Sequence, residues 1–121
     1  MNLVTLPQEF SVYQVADLKK IDLTQQPLFI GVTEEEISIV SATANVPTDT
    51  INREDGWKAF KIEGVLDFSL VGILAKIATL LADAGISIFA VSTYNTDYVL
   101  IKSDKLDAAI TALREGGYTV L

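Results

Sequence analysis

Residues 62–103 read IEGVLDFSLVGILAKIATLLADAGISIFAVSTYNTDYVLIKS. This stretch holds a strand end, a glycine turn, one long apolar helix and a hairpin of two apolar strands, and the rest of the chain reads as its support. Leu70, Ile73, Leu74, Ile77, Leu80 and Leu81 recur at three- and four-residue steps, the spacing that lines one face of an α-helix. That face needs a sheet to cover it. Val71, Ala75, Ala78 and Ala82 flank the stripe and are small enough to admit a second surface, while Lys76 and Asp83 mark the wet side. Asp67 or Ser69 can cap the start by accepting a backbone N–H, and Gly85, just past the last periodic residue, suits a left-handed C-terminal cap. Two runs rich in β-branched and aromatic residues follow, Ile86 to Thr93 and Tyr98 to Ile101, with Tyr94-Asn95-Thr96-Asp97 between them. They predict a hairpin.

Downstream, Ser103 or Asp104 is placed to cap a second helix with Leu106, Ile110 and Leu113 on its buried stripe. Gly116-Gly117 ends that helix, and Tyr118 to Leu121 forms a last short strand. Upstream, Trp57 to Glu63 alternates as a strand does, with Phe60 and Ile62 on one face and Trp57 and Ala59 on the other. From Trp57 onward the order is strand, helix, strand, strand, helix, strand. This is the split βαβ order of ferredoxin-like α+β folds, βαββαβ, with two helices on one face of an antiparallel sheet.

The first half is sparser. Leu3 to Leu6 predicts a short strand that Pro7 breaks, Phe10 to Val15 a half-buried strand, and Ala16 to Ile21 a turn of helix. Pro27 opens the strand Leu28 to Val32, Glu34-Glu35-Glu36 forms an acidic turn, and Ile37 to Val40 returns as a second strand. Clustered carboxylates suit hard cations, but such a run is more often a solvated turn, and it is read here as one. Ala42 to Gly56 has no clear period and reads as a loop with one helical turn, and as the domain boundary. The segment from Phe29 to Ser41 resembles that from Phe89 to Ser103. The chain therefore reads as a tandem, a reduced first copy over residues 1–56 that lacks the long helix, and a complete second copy over 57–121.

Composition narrows the function. At 121 residues with half of them apolar, a core forms without staples, covering roughly two-thirds of the unfolded surface. A mean hydropathy of +0.36 is high for a soluble chain of this size and points either to a large core or to apolar surface shared with another subunit. No apolar run reaches the roughly 20 residues of a membrane span, since Lys76 interrupts the longest, and Met1 to Phe10 does not read as a signal peptide. A net charge of −7 disfavours phosphate backbones and hence nucleic acid. With no cysteine and no histidine, thiolate catalysis, the Ser-His pair and the usual zinc ligands are excluded. No cofactor is expected, and the composition fits the cytoplasm.

Gly64 and Gly72, eight apart across the strand-to-helix turn, Ile73 to Ile77, Ala84-Gly85-Ile86-Ser87-Ile88 and Ser92-Thr93-Tyr94-Asn95-Thr96-Asp97-Tyr98 together resemble an ACT domain. The match over residues 60–115 is closest to the ACT domains of aspartate kinases and of CASTOR-type arginine sensors. The chain departs from the kinase pattern at Leu66, where a glycine is usual, at Val71, where a proline is, and at Ser87, where an asparagine is. In the arginine sensors an acidic residue stands where Leu70 aligns, while Asp97 matches the acid that helps hold the ligand's amino group.

The resemblance implies a regulatory or sensor protein, not an enzyme, that forms a homodimer and binds an amino acid or similar small ligand between ACT-like units. The candidate ligand-binding residues are Asp67, Phe68, Ser69 and Leu70 at the helix start and Thr93, Asn95 and Asp97 at the hairpin turn. Physical chemistry is compatible with that set. A helix N-terminus presents unpaired N–H groups and a positive dipole end to a carboxylate, and Asp97 can pair with an ammonium group. Taken singly, the same residues also read as caps and turn formers. An interaction module that keeps the fold without a pocket is the alternative reading.

Overall fold

The computed structural model describes residues 1–64 and 72–121. Strands β1 (Asn2–Thr5), β2 (Phe10–Gln14), β3 (Leu28–Val32), β4 (Ile37–Ala42) and β5 (Asn52–Ile62) precede helix α1 (Ile73–Asp83). The hairpin β6 (Phe89–Ser92) and β7 (Asp97–Lys102), helix α2 (Leu106–Glu115) and strand β8 (Thr119–Val120) follow. These elements form two compact units, one of residues 1–7 and 58–121, the other of residues 8–57. Residues 52–57 of β5 belong to the smaller unit and residues 58–62 to the larger.

The larger unit has the α+β ferredoxin-like architecture. Its second half of β5 pairs antiparallel with β1, Leu3 opposite Ile62 and Thr5 opposite Phe60, and also pairs with β7, which pairs antiparallel with β6. The ferredoxin pattern has the first and last strands as neighbours. Here β1 lies between them, bonded to β5 on one side and running parallel to β8 on the other. Leu3, Phe60, Ile62, Val99, Ile101 and Val120 from the strands meet Ile77, Leu81, Ala109 and Leu113 from the helices in one buried core. Fully burying each large aliphatic side chain contributes about 1.5–3 kcal/mol. Ile73, Leu74 and Leu80 pack at its margin, so the described part of the stripe faces inward.

Helix α1 ends as expected. The Ile86 N–H bonds the Leu81 carbonyl at 2.9 Å and the Gly85 N–H bonds the Ala82 carbonyl at 2.9 Å, the paired bonds of a Schellman motif, with Gly85 at φ 75°. Helix α2 repeats the arrangement, Tyr118 N–H to Leu113 and Gly117 N–H to Arg114, both at 3.0 Å. The starts differ from expectation. The N-cap of α1 is Gly72, with no side-chain cap bond, and Asp67 and Ser69 lie outside the described residues. Neither Ser103 nor Asp104 is the N-cap of α2; they belong to a 3₁₀ turn, Ser103–Lys105, that delivers the chain into the helix with Lys105 at the cap position.

In the smaller unit the strand order is β3-β4-β2-β5, the order of the ferredoxin-like sheet with β5 as its last strand. No helix covers it among the described residues. Segment 15–27, expected to hold a helical turn at Ala16 to Ile21, is irregular, and Val15, Leu18 and Ile21 pack there with Tyr13 and Ile39 in a small core. A local reason is visible: the Asp17 and Asp22 carboxylates accept the backbone N–H groups of Lys19 and Thr24, both at 2.9 Å, bonds that compete with helix formation.

Segment 52–56, expected as loop, is the start of β5 and pairs with β2. Its polar residues hide the strand from a hydrophobicity reading. Between the pairs Phe10–Trp57 and Val12–Glu54 the register shifts by one, so Asp55 and Gly56 together oppose Ser11. Gly56 has φ 83°, the left-handed glycine of a β-bulge. Ser11, fully buried, donates to Asp55 Oδ1 at 2.6 Å, and its hydroxyl lies 2.9 Å from that of Thr43.

The repeat is a repeat of structure at a constant offset of sixty residues. Phe29 opposes Val40 as Phe89 opposes Leu100, Thr33 bonds Glu36 as Thr93 bonds Thr96, and the 3₁₀ turn Thr43–Asn45 matches Ser103–Lys105. Where α2 then begins, the first copy has Pro47 and the short connection to β5.

Candidate functional site at the hairpin turn and the start of α1

The end of β5, the start of α1, the β6–β7 turn and the connection from α2 to β8 share one end of the larger unit. Contacts hold them there. The Glu63 N–H bonds the Asn2 carbonyl at 3.0 Å, and Asn2 Nδ2 donates to Glu63 Oε1 at 3.1 Å. Thr96, only 4% exposed, donates its hydroxyl to the Ile62 carbonyl at 2.7 Å. The turn is thereby fastened to the last residue of β5.

Of the residues chosen from sequence, Thr93, Asn95 and Asp97 fall on this turn, and Asp67, Phe68, Ser69 and Leu70 lie outside the described residues. The Thr93 hydroxyl donates to the Thr96 carbonyl at 3.1 Å and accepts the Thr96 N–H at 3.4 Å, so it shapes the turn. Asn95 is exposed. Asp97 is half-buried opposite Ser92, whose hydroxyl donates to Asp97 Oδ1 at 2.5 Å. A carboxylate offers about four lone-pair sites, which leaves Asp97 able to accept an ammonium group as well.

Sequence reasoning passed over two features. One is Thr96, since nothing in a polar turn marks its one buried hydroxyl. The other is a cleft of about 310 Å³ lined by Met1, Gly72, Ile73, Lys76, Gly117 and Tyr118. Lys76, assigned to the wet side from its helical phase, is exposed and carries its ammonium 5.4 Å from the centre of the Tyr118 ring, within cation–π range. Burial pushes the Tyr118 phenol above its ordinary pKa, because desolvation disfavours the phenolate. The arrangement offers anion-attracting groups at the helix start and an anionic group at the turn. Among the described residues no cluster of three or more carboxylates could hold a metal ion, and no helix is long and apolar enough to cross a membrane.

The fold is α+β and ferredoxin-like, and comparison with known proteins gives the family. The chain belongs to the ACT domain family, whose model matches residues 52–115. A solved protein from Agrobacterium tumefaciens is 28% identical and superposes with a TM-score of 0.88, covering 99% of this chain and 91% of its own. A Vibrio cholerae protein of unknown function superposes at 0.74 with 20% identity over 95% and 88% of the two chains. The regulatory subunit of aspartate kinase from Thermus thermophilus, in ligand-free form, superposes at 0.61 with 13% identity over 97% of each. No curated protein matches the chain significantly.

Proposed function

We propose that this protein is a regulatory or sensor module that acts by binding, without turnover, and takes an amino acid or similar small ligand at an interface between ACT-like units. The observation that carries this reading is membership of the ACT domain family over residues 52–115. The Asp97 carboxylate, set on a turn that Thr96 anchors to β5, is the group for the ligand's ammonium. The ligand's carboxylate is assigned to backbone N–H groups at the start of α1, with Asp67, Phe68, Ser69 and Leu70, which precede it in sequence, as the candidate residues. A homodimer in the cytoplasm is part of the proposal, supported by the high mean hydropathy and the lack of cysteine. The Thermus thermophilus neighbour, a regulatory subunit by name, illustrates such a role on the same fold.

The test is a thermal-shift scan of the purified protein against the amino acids and common metabolites, repeated with Asp97→Ala. A ligand that binds only the folded state, at about 100 times its Kd, adds about 2.7 kcal/mol, and that shift should be lost in the variant. A panel in which no compound moves the melting temperature overturns the ligand reading. It would favour the second one, an interaction module that kept the fold, for which the specific observations are the internally occupied Thr93 hydroxyl and the departures at Leu66, Val71 and Ser87.

A further inference from the structure

The smaller unit carries a groove of mixed apolar and acidic lining at the tip of the β3–β4 hairpin. It measures about 490 Å³ and lies between the end of β2 (Gln14, Val15, Ala16), the turn from Val32 to Ile37, and Ile51. Six large apolar residues of the described chain are strongly exposed, and two of them, Val32 at 63% and Ile51 at 64%, stand in this groove. Val15 and Ile37 continue its wall. Paired exposed aliphatic residues in a concavity mark a contact surface more than a monomer's scattered apolar surface does. The rim is acidic: Glu34, Glu35 and Glu36 are all exposed, and no lysine or arginine lines the groove. Glu36 accepts from Gln14 Nε2 at 3.2 Å, while among the described residues the carboxylates of Glu34 and Glu35 have no partner.

We propose that this groove docks a segment of a partner protein that joins lysine or arginine to aliphatic residues. Charge complementarity selects that occupant. A second copy of the chain would bring the same acidic turn and a like net charge of −7, and a phosphate-bearing partner is repelled in the same way. A bare small cation satisfies the carboxylates but leaves Val32 and Ile51 in water, whereas a basic segment with aliphatic neighbours covers both. Comparison of the two copies supports the assignment. The matching turn of the larger unit is fastened by buried Thr96, but the residue at the matching place here is exposed Glu36. One backbone turn thus has two chemistries, one inward-tied and one outward-facing. The inference uses none of the residues of the ligand reading, which names the stretch before α1 and the β6–β7 turn.

The test is selection from a displayed random-peptide library on the intact protein, followed by fluorescence anisotropy with a synthetic peptide from the selected class. The wild type should enrich peptides that pair basic with aliphatic residues. Affinity should fall on the order of tenfold in Ile51→Ser and in Glu34→Gln/Glu35→Gln, and it should weaken with added salt. These side chains are exposed, so both variants should melt as the wild type does. The proposal is overturned if no such class is enriched, if either variant binds undiminished, or if a peptide with its aliphatic residues changed to serine binds equally well. It is also overturned if sedimentation shows that Ile51→Ser dissociates a dimer, which would make a second copy the occupant.

Discussion

Thr96 shows how much one hydroxyl can decide. It is buried, its donor is satisfied by the Ile62 carbonyl, and that bond fixes the turn bearing Asp97. Thr96→Val keeps the shape, removes the donor and strands the carbonyl, so urea melts should show a loss of about 1–3 kcal/mol. Gly85→Ala probes the α1 terminus, where a side chain at φ 75° costs roughly 1–2 kcal/mol; an unchanged midpoint would mean the terminus does not hold that conformation in solution. Tyr118 gives a pH prediction. Its folded pKa lies above the unfolded value of about 10, so the folded state holds this proton longer. The resulting contribution to stability is present below the unfolded pKa and is lost as pH rises through the folded one. Tyrosinate absorbance should therefore show a late-titrating component that Tyr118→Phe removes.

At the scale of elements, what could be read from the sequence was what periodicity reports. The stripe Ile73 to Leu81 is a helix because its steps match 3.6 residues per turn, and the glycine stops at Gly85 and Gly117 follow from chemistry that a sequence displays openly. The start of β5 was not legible. Asn52, Arg53, Glu54 and Asp55 are polar, and their strand conformation comes from pairing with β2 across a bulge, a tertiary cause that local sequence does not carry. The same holds for the 3₁₀ entry to α2, where Ser103 and Asp104 are good capping residues that stand two residues and one residue ahead of the cap position, Lys105. Of the candidate site, the turn residues were visible as turn formers, but the Thr96 anchor was not, because burial of one hydroxyl among several polar residues depends on where β5 ends. Ser11→Ala tests the bulge as an element. It removes the buried donor to Asp55 and should lower stability by about 1 kcal/mol, measured by equilibrium denaturation.

Across the whole molecule, two versions of one hairpin sit under very different cover. The larger unit closes two helices over its core, while the smaller relies on Tyr13, Val15, Ile21 and Ile39 under an irregular segment. Opening free energies follow buried contacts, so amides of β2 and β4 should exchange with deuterium sooner than those of β1 and β7; equal protection would contradict this account. The position of β1 has a further consequence for biosynthesis. Asn2 to Thr5 are made before both of their neighbours, first β5 and then, after two helices and a hairpin, β8. The sheet of the larger unit cannot be completed until β8 has been made. Such long-range pairing slows folding, and β1 must wait, unpaired along one edge, for β8.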